Sequence, residues 1–313
     1  MKKLIIAGLL LLPFLTFVGC KKSESDTTTK PSISGLTLSQ VAPYMAKGTQ
    51  ITLKADINNL TTTNGKDPGT VGLYWQVNSA KKDTLSKDIS KSNPEFKYTA
   101  DTLGSYSVFC YAYAVDNTDY YASSASVSFR AIEPDDAITG IELEEEITVN
   151  GFTWQARNAT DLVLGRSYRN SPILDDVLGR LFTWEDAQEV CPWGWHLPTV
   201  AEFEASFADE DGYIYTGDLM ADASFLDEKM WTYWPQVQIT NLYGFNALPL
   251  GYIDYTDLIN TYDKYGDYAM WWTADADEEM ATYLYIFEEN EIVMKGQGDK
   301  KTLAMGVRCV RDY

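Results

Sequence analysis

A chain of 313 residues with a net charge of −20 is long enough for two domains and too acidic to favour nucleic acid. The acid is unevenly placed: residues 1–133 carry 14 Lys and Arg against 11 Asp and Glu, a net of +3, whereas residues 134–313 carry 11 against 34, a net of −23. Such a second half repels acidic polysaccharides as well as DNA and RNA, and leaves neutral or basic partners, or acidity that serves solubility alone.

The chain opens MKKLIIAGLLLLPFLTFVGC, a basic pair before an apolar run at 5–18. The run is too short and too early for a membrane span, so residues 1–19 read as a secretory signal. Phe17-Val18-Gly19-Cys20 resembles a bacterial lipobox, with Phe17 where leucine is usual. The resemblance implies cleavage before Cys20 and diacylglycerol on its thiol. The protein then sits in the cell envelope, at the outer membrane, and meets the membrane through its N-terminal lipid. A plain secretory signal is the alternative. Nothing after residue 20 is apolar enough to span a bilayer, and residues 20–31, polar and free of aromatics, read as a flexible tether.

Residues 32–133 read as all-β. In TQITLKADI, Ile51, Leu53, Ala55 and Ile57 alternate onto one face, the period of a half-buried strand. VGLYWQV offers Trp75 as a core plug, and NNLTTTNGKDPGT is dense in turn formers. LGSYSVFCYAYAV puts Tyr106, Val108, Cys110, Ala112 and Ala114 on one face, and SASVSFRAI closes the set. Short strands at this spacing predict a β-sandwich. The GSYSV segment resembles the penultimate strand of bacterial Ig-like and PKD-type domains. Cys110 has no cysteine opposite it and reads as a small buried hydrophobe.

EPDDAITGIELEEE is a charged connector, and residues 134–313 form the second domain. ITVNGFTWQARN predicts a hairpin turning at Asn150-Gly151. Thr183 caps a helix that Cys191 ends and Pro192 forbids from continuing. Thr199 caps the next helix, with Glu202 completing a capping box. The apolar YGFNALPLGYI is broken by Pro249 and Gly251. DYTDLINTYDKYGDY has no period and predicts a long loop. AMWWTAD, TYLYIF, EIVMKG and AMGVRCVRDY are closing strands.

The link between the two helices holds His196, the chain's one histidine, and one of its four cysteines. Cys191 and His196 suit a thiolate nucleophile and its base in an exported enzyme. Against that, a proline and a Trp-Gly-Trp turn separate the two groups, and export favours oxidation. With Cys20 lipidated and Cys110 in the other domain, Cys191 and Cys309 are left as a disulfide pair or as two free thiols. Asp275, Asp277, Glu278 and Glu279 present hard oxygens that suit Ca2+, without EF-hand spacing; a solvated acidic turn is the plainer reading, and no cofactor is expected. One histidine cannot furnish a zinc site.

NGFTWQARN, GRLFTWEDAQEVCPWGWHLPTVAEFEA, YGFNALPLGY, MWWTAD and GVRCVRDY resemble, in order over residues 147–313, the blocks of the Fibrobacter succinogenes major paralogous domain. Leu178 stands where that family usually has tyrosine, and Trp193 where it has a small residue. The resemblance implies a secreted or lipidated protein of the Bacteroidetes and a C-type-lectin-like α+β fold. In that fold a cysteine after the first helix bonds to one on the last strand; Cys191 and Cys309 occupy those places. It implies packing or turn roles for Trp154, Trp184, Pro192, Gly194, Trp195, Leu197, Pro198, Gly244, Phe245, Asn246 and Pro249. It implies no activity.

In lectin-like folds the binding surface is the long loop and the strand after it. Tyr255, Tyr262, Tyr265, Trp271 and Trp272 would there stack on sugar rings or apolar side chains, and Asp254, Asp257, Asp263 and Asp267 would take hydroxyls. The same aromatics equally suit the filling of a small core. The expectation is a non-catalytic envelope lipoprotein whose lectin-like module, carried on an Ig-like spacer, binds an extracellular glycan or protein. The alternatives are an exported enzyme using Cys191 and His196, a formylglycine-generating-type activity (for which a second cysteine near Cys309 is missing), and a purely structural surface component.

Overall fold

Alternation of buried and exposed side chains builds the first half. The computed structural model describes residues 30–79, 84–90, 94–133, 137–141, 144–231, 237–256, 262–287 and 289–312; the signal segment, Cys20 and Asp257 lie outside the described residues. The longer strands described in this half are β1 (Tyr44–Ala46), β2 (Gln50–Asp56), β3 (Val71–Ser79), β4 (Thr84–Ser90), β5 (Glu95–Thr99), β6 (Gly104–Ala114) and β7 (Ser123–Ile132). One sheet runs β1-β7-β6-β3-β4, antiparallel except for the parallel β1–β7 edge. The other joins Thr37–Leu38, β2 and β5.

Strict alternation along β2 buries Ile51, Leu53 and Ala55, and along β6 it buries Tyr106, Val108, Cys110, Ala112 and Ala114. Trp75 of β3 stacks on Phe96 of β5 at 5.1 Å between ring centres, joining the two sheets through their shared core. Burying a large apolar side chain of this kind stabilises by about 1.5–3 kcal/mol. Cys110 is free and fully buried, and burial pushes its thiol pKa up to about 12, which leaves it inert at neutral pH.

Among the described residues the second half mixes short helices with four small sheets. Strands β8 (Glu146–Val149) and β9 (Phe152–Gln155) form the hairpin, with Asn150 at φ 48° and Gly151 at φ 89°. Both turn residues are left-handed, the condition of the two-residue turn that Asn-Gly favours. Then follow α1 (Asp175–Leu178), β10 (Arg180–Thr183), α2 (Trp184–Ala187), β11 (Trp195–His196), α3 (Val200–Phe207) and α4 (Thr216–Leu219). The closing strands are β12 (Tyr252–Asp254), β13 (Tyr268–Ala276), β14 (Met280–Phe287), β15 (Met294–Asp299), β16 (Leu303–Met305) and β17 (Val310–Arg311).

The last strand returns to the first hairpin. One sheet runs β8-β9-β17-β11, with Trp154 opposite Val310, so the start and end of this half are hydrogen-bonded neighbours. A second runs from Arg166–Ser167 through β10, β16 and β12 to Tyr262–Asp263, and a third is β13-β14-β15. Trp154, Phe203, Phe207, Phe245 and Trp271 interlock as an aromatic core, and the Trp154 indole donates to Ser206 Oγ at 3.0 Å.

Three local expectations are corrected. The helix after Thr183 stops at Ala187, four residues short of Cys191, which is bonded to Cys309. Residues 252–268 are not one loop: Tyr252 pairs with Asp263 and Ile253 with Tyr262, anchored by a fully buried Ile253. The connector is partly packed, since Ala137 and Ile138 are buried and Ile138 pairs with Phe225.

Candidate functional site

Every constraint on the segment 183–202 is visible. The Thr183 hydroxyl accepts from the Asp186 N–H at 3.2 Å and starts α2. The Thr199 hydroxyl accepts from the Glu202 N–H, and Glu202 Oε2 accepts from the Thr199 N–H at 2.8 Å, a complete capping box for α3. Between them Cys191 is bonded to Cys309, the Cα atoms 5.7 Å apart across 118 residues of sequence. The chain then turns tightly, the Trp195 N–H donating to the Pro192 carbonyl at 2.9 Å with Gly194 at φ 83°. The Asp312 N–H donates to the Gly194 carbonyl, and β11 pairs with β17.

His196 is held from both sides. Its Nδ1 lies 2.7 Å from Asp312 Oδ1 and its Nε2 2.9 Å from Glu202 Oε1. Burial opposes the charged imidazole, but the two carboxylates outweigh it and raise its pKa above the ordinary 6.5. Burial also acts upward on Glu202, yet its hydrogen bonds from Thr199 and His196 hold the carboxyl below the ordinary 4.5. The thiol and imidazole considered as nucleophile and base are thus occupied: Cys191 by a disulfide, His196 by an ion-paired clasp linking the chain end to a helix start.

Two tryptophans of the segment have structural partners. The Trp184 indole donates to the Thr273 carbonyl at 2.8 Å and lies under the Lys300 ammonium, 4.4 Å from ring centre to charge. Trp195 lies under the Arg311 guanidinium at 4.8 Å, and Arg311 pairs with Glu146. Trp193 is fully exposed, at 100%. An open cleft of about 570 Å³ is lined by Gln188, Cys191, Trp195, His196, Thr199 and Glu202; Trp193 is not among its lining residues. A second cleft, of about 620 Å³, is also lined by Trp195, together with Glu145, Glu146, Arg157, Asn158 and Asp176.

The structure distributes the residues expected on the lectin-type surface between surface and core. Trp271 and Trp272 are not surface platforms. They are 2% and 0% exposed, and their indoles donate to Asn158 Oδ1 and to the Phe182 carbonyl, each at 2.9 Å. Their consecutive place in β13 sends them to opposite faces, and both faces are covered here. Tyr262 donates to the Ser167 carbonyl at 3.0 Å and packs edge-on to Tyr168; burial raises its pKa. Tyr265 stacks on Tyr168 at 4.7 Å with its pKa pushed by burial up to about 12, yet it stays 37% exposed. Tyr255 is half-buried under Arg166, and Asp263 lies on the short strand Tyr262–Asp263.

The acidic turn is used by the backbone. Asp277 Oδ1 accepts from the Glu279 and Met280 N–H groups, and Asp275 Oδ2 accepts from the Val200 N–H. Among the described residues no group of three His, Cys, Asp or Glu side chains is placed to hold a metal.

Sequence reasoning missed the residues that tie this site together. Asn158 donates to the Leu178 carbonyl and accepts from Trp271 and from Arg308. Arg308, 1% exposed, also donates to the Gln155 and Phe245 carbonyls and stacks on the Phe245 ring at 4.2 Å. Among the described residues no carboxylate pairs with it, and burial lowers its pKa to about 9, still charged at neutral pH. The sequence carried no signal for Arg308, because alternation puts it on the face opposite Val307 and Cys309, whereas the run Val307 to Val310 is buried on both faces.

Fold and site together define a disulfide-closed α+β module whose chain ends are clasped, preceded by a β-strand half. Residues 139–311, more than half of the chain, match the Fibrobacter succinogenes major domain, and the chain belongs to that family. No curated protein matches it.

Proposed function

We propose that the protein is a non-catalytic, lipid-anchored binding module of the cell envelope. Cys20 carries the lipid, an Ig-like sandwich serves as spacer, and a C-type-lectin-like domain meets an extracellular glycan or protein. The observation that carries this reading is the state of Cys191 and His196. Both are committed to holding the ends of the domain together, while the surface beside them is open and aromatic. Support for the Ig-like spacer comes from two facing sheets and from the Tyr106 hydroxyl, which donates to the Thr102 carbonyl at 2.7 Å near the start of β6, a tyrosine-corner contact. Support for the lectin-like fold comes from the pairing of Trp154 with Val310 and from the disulfide that joins the segment after α2 to Cys309, the residue before the final strand. The acidity of this half selects against acidic partners.

The test is to incubate the full-length protein in detergent with neutral and amino-bearing hexaoses and with envelope proteins. Binding is recorded, and the mass of each hexaose is followed afterwards. Saturable binding with unchanged masses is expected. Shortened or modified products would establish an enzyme, and no binding at all would leave an architectural role.

A further inference from the structure

A charge buried in a folded protein is ordinarily paired, because an isolated ion gives up its hydration and gains nothing in return. Arg308 departs from that rule. It is 1% exposed, and its hydrogen bonds go to neutral oxygens. Nε donates to Asn158 Oδ1 at 3.3 Å, and Nη1 donates to the Gln155 and Phe245 carbonyls at 3.2 and 2.6 Å. Among the described residues Nη2 has no hydrogen-bond partner. The arginines that pair with carboxylates among those residues are Arg180 and Arg311. Burial lowers the Arg308 pKa only to about 9, so the guanidinium keeps its charge at neutral pH.

A small inner cavity adjoins this group. Its polar lining is Arg157, Asn158, Asn246 and Arg308, and the rest is aliphatic, Val177 and Leu248 included. Among the described residues no carboxylate lines it. Its volume is about 10 Å³, room for one water-sized occupant. Arg157, Asn158 and Val177 also line the cleft of about 620 Å³, so the cavity adjoins open space. The Arg157 side chain is half-buried, and its Nη1 donates to the Asp176 carbonyl at 3.2 Å, again a neutral oxygen.

We infer that this cavity is a site for one chloride-sized anion, held by Arg308 and Arg157 and balancing the buried guanidinium. Charge and size select the occupant. Two guanidinium side chains without a lining carboxylate disfavour a cation, and a neutral water would leave the Arg308 charge unbalanced. The volume excludes phosphate, sulfate and organic acids, which leaves a single-atom anion. Glu145, Glu146 and Asp176 on the adjoining cleft oppose the entry of negative charge, so affinity on the order of millimolar is expected. Such an ion supports the fold from within, so the site is independent of the binding-module reading.

The experiment follows thermal unfolding of the full-length protein by tryptophan fluorescence at neutral pH, in sodium chloride and in sodium gluconate of equal ionic strength. Raising chloride from about 5 to about 150 mM is expected to raise the midpoint by about 2 °C or more, and gluconate is expected not to. Arg157→Gln changes a half-buried side chain and spares Arg308; it is expected to fold and to lose about half or more of that rise. A bromide soak of crystals of the same protein then locates the ion, with an anomalous peak in the cavity beside Arg308 as the expected result. Equal responses to chloride and gluconate overturn the inference, and a bromide peak without a chloride response is binding at crystal concentration only and overturns it too. A water in the cavity also overturns it, as does a carboxylate of the chain; Glu142, next to the lining residue Ile141, lies outside the described residues. A chloride response that Arg157→Gln leaves whole overturns the two-arginine site. None of these outcomes bears on glycan or protein binding.

Discussion

At His196 two carboxylates meet one imidazole, and the sign of each pKa shift defines a pH window. The imidazole pKa is raised, so its contribution to stability is complete below the unfolded value of 6.5 and is lost as pH rises through the folded value. The Glu202 pKa is lowered, so its contribution is complete above 4.5 and is lost as pH falls through the folded value. The clasp is thus strongest between pH 4.5 and 6.5. His196→Gln is expected to destabilise by up to about 1 kcal/mol in that window, because the pair is partly solvated, and by less at pH 9. Urea melts at pH 5.5 and 9 check this; a larger loss at pH 9 would reverse the assignment of charge. Single residues were unevenly legible. Elimination left Cys191 and Cys309 as a disulfide pair or two free thiols and the family resemblance implied the bond, but His196 gave no hint of Asp312, because 116 residues separate the two and the β11–β17 pairing brings them together.

Elements were legible where a local rule decided them. The capping box at Thr199 and Glu202, the Asn150-Gly151 hairpin, and the alternation along β2 and β6 each depend on residues within a few positions. The hairpin between β12 and Tyr262–Asp263 was hidden because its inward residue, Ile253, is stabilised by a partner strand 51 residues away, with Ile253 opposite Ala304. Trp271 and Trp272 were equally ambiguous, since aromatics in a strand suit either a core or a ligand and only the packing of β13 decides. The 192–195 turn makes a test at this scale. An added Cβ at Gly194 would meet nothing within 4 Å, but the residue sits at φ 83°. Gly194→Ala is therefore expected to cost about 1–2 kcal/mol from backbone strain alone, read as a lowered urea midpoint with an unchanged slope. A neutral effect would mean the turn is not held as described.

Across the whole molecule the two halves touch. The Tyr44 ring packs edge-on to Phe225 at 4.9 Å, the Tyr44 N–H donates to Ser171 Oγ at 3.3 Å, and Ile132 at the end of β7 is buried with Leu174 and Leu178 of the second half. This contact was not legible, because the connector was read from its charges alone. What governs the second half is closure: β17 beside β9, Arg308 reaching inward, and one covalent bond from Cys309, just before β17, to the segment after α2. Closing a loop of that length stabilises by about 5 kcal/mol at most in the chain-entropy picture. Because the same bond withdraws the thiol from chemistry, the functional reading depends on it. The direct test is peptide mapping, without reductant, of protein purified from the envelope and treated while folded with iodoacetamide. A single cross-linked peptide pair joining Cys191 to Cys309, with Cys110 unlabelled, is the expected result. Carbamidomethyl groups on both Cys191 and Cys309 in folded protein would contradict it and return the Cys191–His196 pair to the enzymatic reading.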